Sequence, residues 1–117
     1  MAKSVVDQGV FDALKQMVGE DFIGELLDTF LDDAPQLIAA LGKALEARDA
    51  EAFRRSAHSL KSNAASFGAK TLSEQAKALE LLGREGRFAH VQSQLETLSA
   101  EYEKVEQVLK KLRHEFE

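Results

Sequence analysis

The sequence has no cysteine, no tryptophan and a single proline, Pro35, in 117 residues. Without thiols there is no disulfide, no thiolate nucleophile and no zinc–thiolate centre, and a reducing compartment is permitted. β-Branched residues are scarce as well. Valine, isoleucine and threonine supply 12 positions where alanine and leucine supply 33, a balance that favours helix over sheet. No uninterrupted apolar run approaches the roughly 20 residues of a membrane span. The opening residues MAKSVVDQGVF also lack the apolar stretch of a signal peptide, so no membrane insertion and a cytoplasmic location are expected. There is no block of lysine and arginine, and the formal net charge of −5 is spread along the chain, which argues against nucleic acid as a partner. The length suits one domain, taken as residues 1–117, that buries roughly two thirds of its unfolded surface.

What is present is apolar periodicity at three- and four-residue steps, which predicts five helices. A short first helix over Gln8 to Val18, with Asp7 as N-cap and Phe11, Leu14 and Val18 on one face, ends at Gly19-Glu20-Asp21 and reads as a lid. A second from about Phe22 to Ala47 carries a wide stripe (Phe22, Leu26, Phe30, Ala34, Leu37, Leu41) broadened by Ile23, Leu27, Ile38 and Leu45. Pro35 within it predicts a kink near Leu31 to Pro35 or a division into two shorter helices. A third begins at Asp49 as N-cap, turns Phe53, Ala57, Leu60, Ala64 and Phe67 inward, and stops at Gly68. Thr71 and Glu74 form a T-x-x-E capping box that predicts the start of a fourth helix, ending at Gly86. The fifth runs from about Phe88 to the C-terminus with Val91, Leu95, Leu98, Tyr102, Val105, Leu109, Leu112 and Phe116 in near-heptad spacing. Short connections between four amphipathic helices imply an all-α, antiparallel four-helix bundle with the short N-terminal helix as an addition.

The stretch from Ala57 to Ala69, AHSLKSNAASFGA, gathers residues that can do chemistry. On a helical wheel at about 100° per residue with Phe53 at zero, His58 falls near 140°, Lys61 near 80°, Ala65 near 120° and Ser62 near 180°. The four share one surface strip outside the core stripe. A neutral imidazole is a good nucleophile near neutral pH, since an unperturbed pKa of about 6.5 leaves most of it unprotonated. Lys61, one turn on, can set an ammonium against phosphoryl oxygens, Ser62 and Ala65 keep the approach open, and Arg54 and Arg55, one turn earlier, add positive potential. Spacing alone leaves the alternative of a solvent-facing histidine beside a solvated lysine.

Read whole, Ala57-His58-Ser59-Leu60-Lys61-Ser62-Asn63 followed by Phe67-Gly68-Ala69 resembles the signature of histidine-containing phosphotransfer (HPt) domains. The helix order resembles that family over nearly the whole chain. The resemblance implies that His58 is phosphorylated, that Lys61 stabilises the phosphate, and that the partners are response-regulator receiver domains, with a hybrid sensor histidine kinase as a further candidate. It implies a phosphocarrier in which the receiver supplies the aspartate and the metal, and the lack of nucleotide-binding loops leads to the expectation of no autonomous kinase activity. The family mostly has glycine where this chain has Ser62. It often has a glutamine on the next helix to bond the unphosphorylated ring nitrogen, and the residue at the matching offset is Glu80. A carboxylate there can accept one ring N–H and leave the other nitrogen bare, though it repels an incoming phosphate more than an amide does. The other reading of Glu80 is a surface glutamate on a charged helix. The resemblance also suggests a docking patch at the rim of the second helix together with residues of the first, with Leu27, Leu31 and Ile38 as candidates.

No G-x-x-x-x-G-K-[ST] loop or kinase glycine loop is present to cradle a nucleotide. Paired E-x-x-H motifs are absent, and His90 and His114 have no second ligand at i+4, so no metal site and no cofactor are expected and both histidines read as surface residues. The alternative from another class is a non-catalytic helical adaptor or oligomerisation module that uses the last helix as a coiled-coil surface.

Overall fold

The structure, a computed structural model, describes residues 5–115. It contains α1 (Gln8–Val18), α2 (Glu20–Ala47), α3 (Ala50–Ser66), α4 (Lys70–Glu85) and α5 (Val91–His114). Helices α2 to α5 pack as an antiparallel four-helix bundle in which each touches its two neighbours around a ring and the diagonal pairs stay apart. The first helix lies against α2 and α3, with Phe11 sunk into the core and Leu14 and Val18 packed on its edge. Leucines from all four bundle helices, among them Leu41, Leu60, Leu79 and Leu98, are fully buried, each contributing about 2 kcal/mol of transfer free energy. Among the described residues no helix is long and apolar enough to cross a membrane.

The caps expected at Asp7 and Asp49 are present. Asp7 accepts from the Val10 N–H at 3.1 Å and Asp49 from the Ala52 N–H at 3.0 Å, each satisfying a donor that the first helical turn leaves free. Other boundaries differ from the sequence reading. Only Gly19 separates α1 from α2, because Glu20 and Asp21 join the first turn of α2, where their negative charge suits the helix dipole. Pro35 does not divide α2, which runs unbroken to Ala47. Pro35 is exposed, and the helix passes through it with one backbone hydrogen bond fewer. Phe22, expected in the buried stripe, is 48% exposed while its neighbour Ile23 is fully buried. The stripe is rotated by one residue at that end.

The Thr71–Glu74 capping box is not formed. Helix α4 starts at Lys70 with Ala69 at the cap and no side-chain cap bond, because the turn before it is held another way. Gly68 adopts φ 80°, and its carbonyl accepts the Asp7 N–H at 2.8 Å. A Cβ at Gly68 would come within 2.8 Å of the Asp7 carbonyl oxygen, so only glycine allows the start of the lid to press on this turn. A Lys70–Asp7 ion pair at 3.0 Å closes the contact. Helix α5 begins at Val91, not Phe88, because His90 sits in the left-handed region at φ 65°. Phe88 instead packs edge-on against Phe53, ring centroids 5.5 Å apart. The expected inward turn of Phe116 lies outside the described residues.

Candidate functional site

His58 lies midway along α3 with its ring 54% exposed, standing above the buried Ala57 and Leu60. Its Nδ1 is 2.8 Å from Oε2 of Glu80 on α4. The other carboxylate oxygen of Glu80 takes Lys61 Nζ, also at 2.8 Å, and the Arg84 guanidinium stands 3.6 Å from Oε2. The Glu80 side chain is only 7% exposed, so the surface-glutamate reading does not hold. It is the one charged residue in the buried interior among the described residues.

A buried carboxylate ordinarily resists ionisation, but here the Lys61 hydrogen bond, followed by the His58 bond, outweighs desolvation and holds Glu80 below the usual glutamate range. An ionised carboxylate only accepts. The hydrogen in the His58–Glu80 bond therefore belongs to Nδ1, and in the neutral ring Nε2 is left with a free lone pair pointing to solvent.

Small residues bring the two helices close enough for this. Ala57 and Ala64 of α3 and Ala76 of α4 are fully buried. Gly83, one turn after Glu80, lies so near α3 that a Cβ there would meet Phe53 Cδ1 at 3.0 Å and the Arg54 backbone nitrogen at 3.1 Å. Ser73 Oγ donates to the Lys61 carbonyl at 2.9 Å, fixing α4 against the turn of α3 that carries the lysine. The sequence marks Ala57 and Ala64 only as core, and Gly83 and Ser73 do not stand out in it, because small residues at helical spacing carry no sign of a close approach.

Of the other residues singled out, Ser62 and Ala65 are exposed on the same strip as His58, and Arg55 is exposed. Arg54 is held by Glu51 on its own helix at 2.6 Å. That carboxylate, and more weakly Glu80, strengthens its hold on its proton. The docking candidates divide. Leu27 is fully buried and cannot meet a partner, while Leu31 and Ile38 are half-buried against the core. The apolar surface at this rim involves the first helix, and other residues of the second than those three. One groove of about 230 Å³ runs between α1, α2 and α3 over Leu14, Leu26, Phe30 and Phe67, and Asn63 joins it to a second, lined by Asp33, Leu37 and Ser59. His90 and His114 are exposed, as expected, and no group of three or more His, Asp or Glu side chains able to hold a metal occurs among the described residues.

The model of the Hpt domain family matches residues 25–108. The phosphorelay protein LuxU of Vibrio harveyi is 34% identical over 80 residues, covering 68% of this chain and 70% of that protein. The crystal structure of histidine-containing phosphotransfer protein B (HptB) from Pseudomonas aeruginosa PAO1 superposes with a TM-score of 0.93 at 31% identity, covering 99% of this chain and 100% of that one.

Proposed function

Because the chain belongs to the Hpt domain family, we propose that it works as a phosphocarrier in which Nε2 of His58 takes a phosphoryl group from a receiver-domain aspartate and passes it to another receiver. Its general function is histidine phosphotransfer in a two-component phosphorelay. The observation that carries the assignment to His58 is the bond from its Nδ1 to the buried Glu80 carboxylate at 2.8 Å, which turns a bare Nε2 outward on an exposed ring.

In this reading the receiver brings the aspartate and its metal, and the carrier brings a positioned nucleophile. Glu80 sets the tautomer, and Lys61, 28% exposed, keeps one of its three N–H donors on the carboxylate and has others to neutralise charge on the transferring phosphoryl group. Exposed Ser62 and Ala65 leave room for a partner's active site to close to near-attack distance, about 3 to 3.5 Å. Arg54 and Arg55 supply positive potential at one end of the strip. Autonomous kinase activity is not part of the proposal, since the sequence holds no nucleotide loop. The cytoplasm, where receivers and the output domain of a hybrid sensor kinase meet, is the proposed location.

The test is labelling. ATP alone should leave the protein unlabelled, and an aspartyl-phosphorylated receiver should label it with an acid-labile, base-stable modification. His58→Gln should stay folded and take no label. Label persisting in folded His58→Gln, or an unlabelled parent across the receivers of its own cell, would leave only the helical adaptor.

A further inference from the structure

The Glu80 carboxylate has a consequence after phosphorylation that it does not have before it. Loading forms a bond from the Nε2 lone pair to phosphorus, while the bond from phosphorus to the donor's carboxyl oxygen breaks and its electrons stay on that oxygen. If the Nδ1 hydrogen remains, the ring now carries substituents on both nitrogens and a positive charge. Unloading then returns the N–P electron pair to Nε2 and releases a neutral imidazole. If the Nδ1 hydrogen is lost first, the departing group is an imidazolate anion, a much poorer leaving group.

We propose that Glu80 is a positioning residue for the onward step, keeping the proton on Nδ1 of phosphorylated His58 so that the carrier remains an active donor above neutral pH. The inference rests on the assignment of His58 as the phosphorylated residue. Its geometric basis is a carboxylate oxygen, rather than an amide oxygen, at 2.8 Å from Nδ1, in a side chain 7% exposed where water screens it little. Lys61 binds the other oxygen at 2.8 Å, so Oε2 stays directed at the ring. An amide oxygen at this position would accept the same hydrogen bond but would not stabilise a cationic ring to the same degree.

The charged surroundings leave this role to Glu80. On α3 the charged groups within a turn of His58 are Lys61, Arg55 and Arg54, the last engaged with Glu51. On α4 they are Glu80 and Arg84, which is 3.6 Å from Oε2, with Glu74 and Lys77 beside Lys61 in the same surface hollow. Helix α2 presents Asp33 in the groove beside Ser59 and Asn63, on the side of α3 away from Glu80. Helix α1 presents Asp7, paired with Lys70 at the far end of α3. No other anion among these makes a hydrogen bond or ion pair with the imidazole.

The experiment compares the parent with Glu80→Gln. Each is loaded with phosphoramidate, which transfers its phosphoryl group to histidine and releases ammonia, and is then freed of donor and mixed with excess unphosphorylated receiver from about pH 6 to about pH 9. Each profile is read relative to that protein's own rate at the acid end. The variant's rate should then fall about one pH unit earlier, leaving it about tenfold slower at the alkaline end. Nitrogen NMR of the phosphorylated parent should show Nδ1 protonated to higher pH than in free phosphohistidine, a readout that does not need the variant to fold. Parallel pH profiles, or an Nδ1 that titrates as in the free amino acid, would overturn the role of Glu80 and leave His58 as the carrier. Absence of label on His58 in either protein would overturn both.

Discussion

Two seams of the bundle use the same parts to different ends. Between α3 and α4 a carboxylate, Glu80, reaches Lys61 and His58, and a glycine, Gly83, marks a close approach. Between α2 and α5 a carboxylate, Asp28, takes Arg113 in a two-pronged pair at 2.8 and 3.1 Å, and again a glycine, Gly24, faces the partner helix. The resemblance ends at burial. The Glu80 side chain is 7% exposed and Asp28 is 58% exposed. A Cβ at Gly83 would strike backbone, whereas one at Gly24 would meet the end of the Arg113 side chain at 3.3 Å. A charge pair in solvent contributes little and a buried one fixes geometry. The first seam can orient a nucleophile. The second joins two helices.

The largest effect expected on the first seam comes from Lys61→Ala, which should slow receiver-dependent transfer by about one to three orders of magnitude with helix content unchanged. A second readout separates charge neutralisation from bulk. Glu80 is held below the ordinary glutamate range chiefly by Lys61, so it contributes stability that is present above the unfolded carboxyl pKa and is lost as pH falls through the depressed folded value. Without the lysine the folded value rises towards the ordinary one, and acid unfolding followed by circular dichroism should begin at higher pH. Unchanged transfer below receiver saturation would return Lys61 to an ordinary solvated role.

Next in size is Gly83→Val. The added atoms meet Phe53 and the Arg54 backbone, which cannot turn aside as a flexible side chain can. The variant should lose about 1 to 3 kcal/mol in denaturant unfolding, and any relaxation that moves α4 outward lengthens the Glu80–His58 bond. Transfer should therefore fall by about tenfold even where the protein is fully folded, since small misplacements are costly. A variant that is destabilised but transfers at the parent rate would show that the bond does not depend on the close approach.

Much of this architecture is legible in the sequence, and the exceptions have physical reasons. Periodicity marks the helices because burial selects apolar residues at 3.6-residue spacing, and Asp7 and Asp49 mark helix starts because a short acceptor satisfies a local donor. These are local signals. The rotation that exposes Phe22 and buries Ile23 depends on how α2 meets its neighbours. The left-handed His90 is a strained turn with no glycine to announce it, and the Thr71–Glu74 box yields to a lid contact at Gly68 from residues 61 positions earlier, at Asp7. Leu27 shows the limit of a wide apolar stripe, which does not say where its rim lies. His58 and Lys61 were legible by family resemblance. Glu80 was legible only as an offset, since its burial depends on Gly83 and the small residues of two helices together.

The smallest effects belong to the second seam, and they test whether the difference between the seams is real. Asp28 is kept below the ordinary aspartate range by its hydrogen bond to Arg113, but the aspartate side is 58% exposed, and competing hydration and screening there offset most of the attraction. Asp28→Ala should shift the melting temperature by no more than about two degrees, less at high salt, and leave transfer within about twofold of the parent. Gly24→Ala should be neutral or slightly stabilising. Helical glycine costs roughly 0.5 to 1 kcal/mol relative to alanine, and the Arg113 head group can move by the few tenths of an ångström that a new methyl requires. Both variants lie on α2 away from the His58 strip. If either changed transfer as strongly as Gly83→Val, the α2–α5 seam would be transmitting geometry to the site across the bundle, and the buried carboxylate would no longer be what sets the two seams apart.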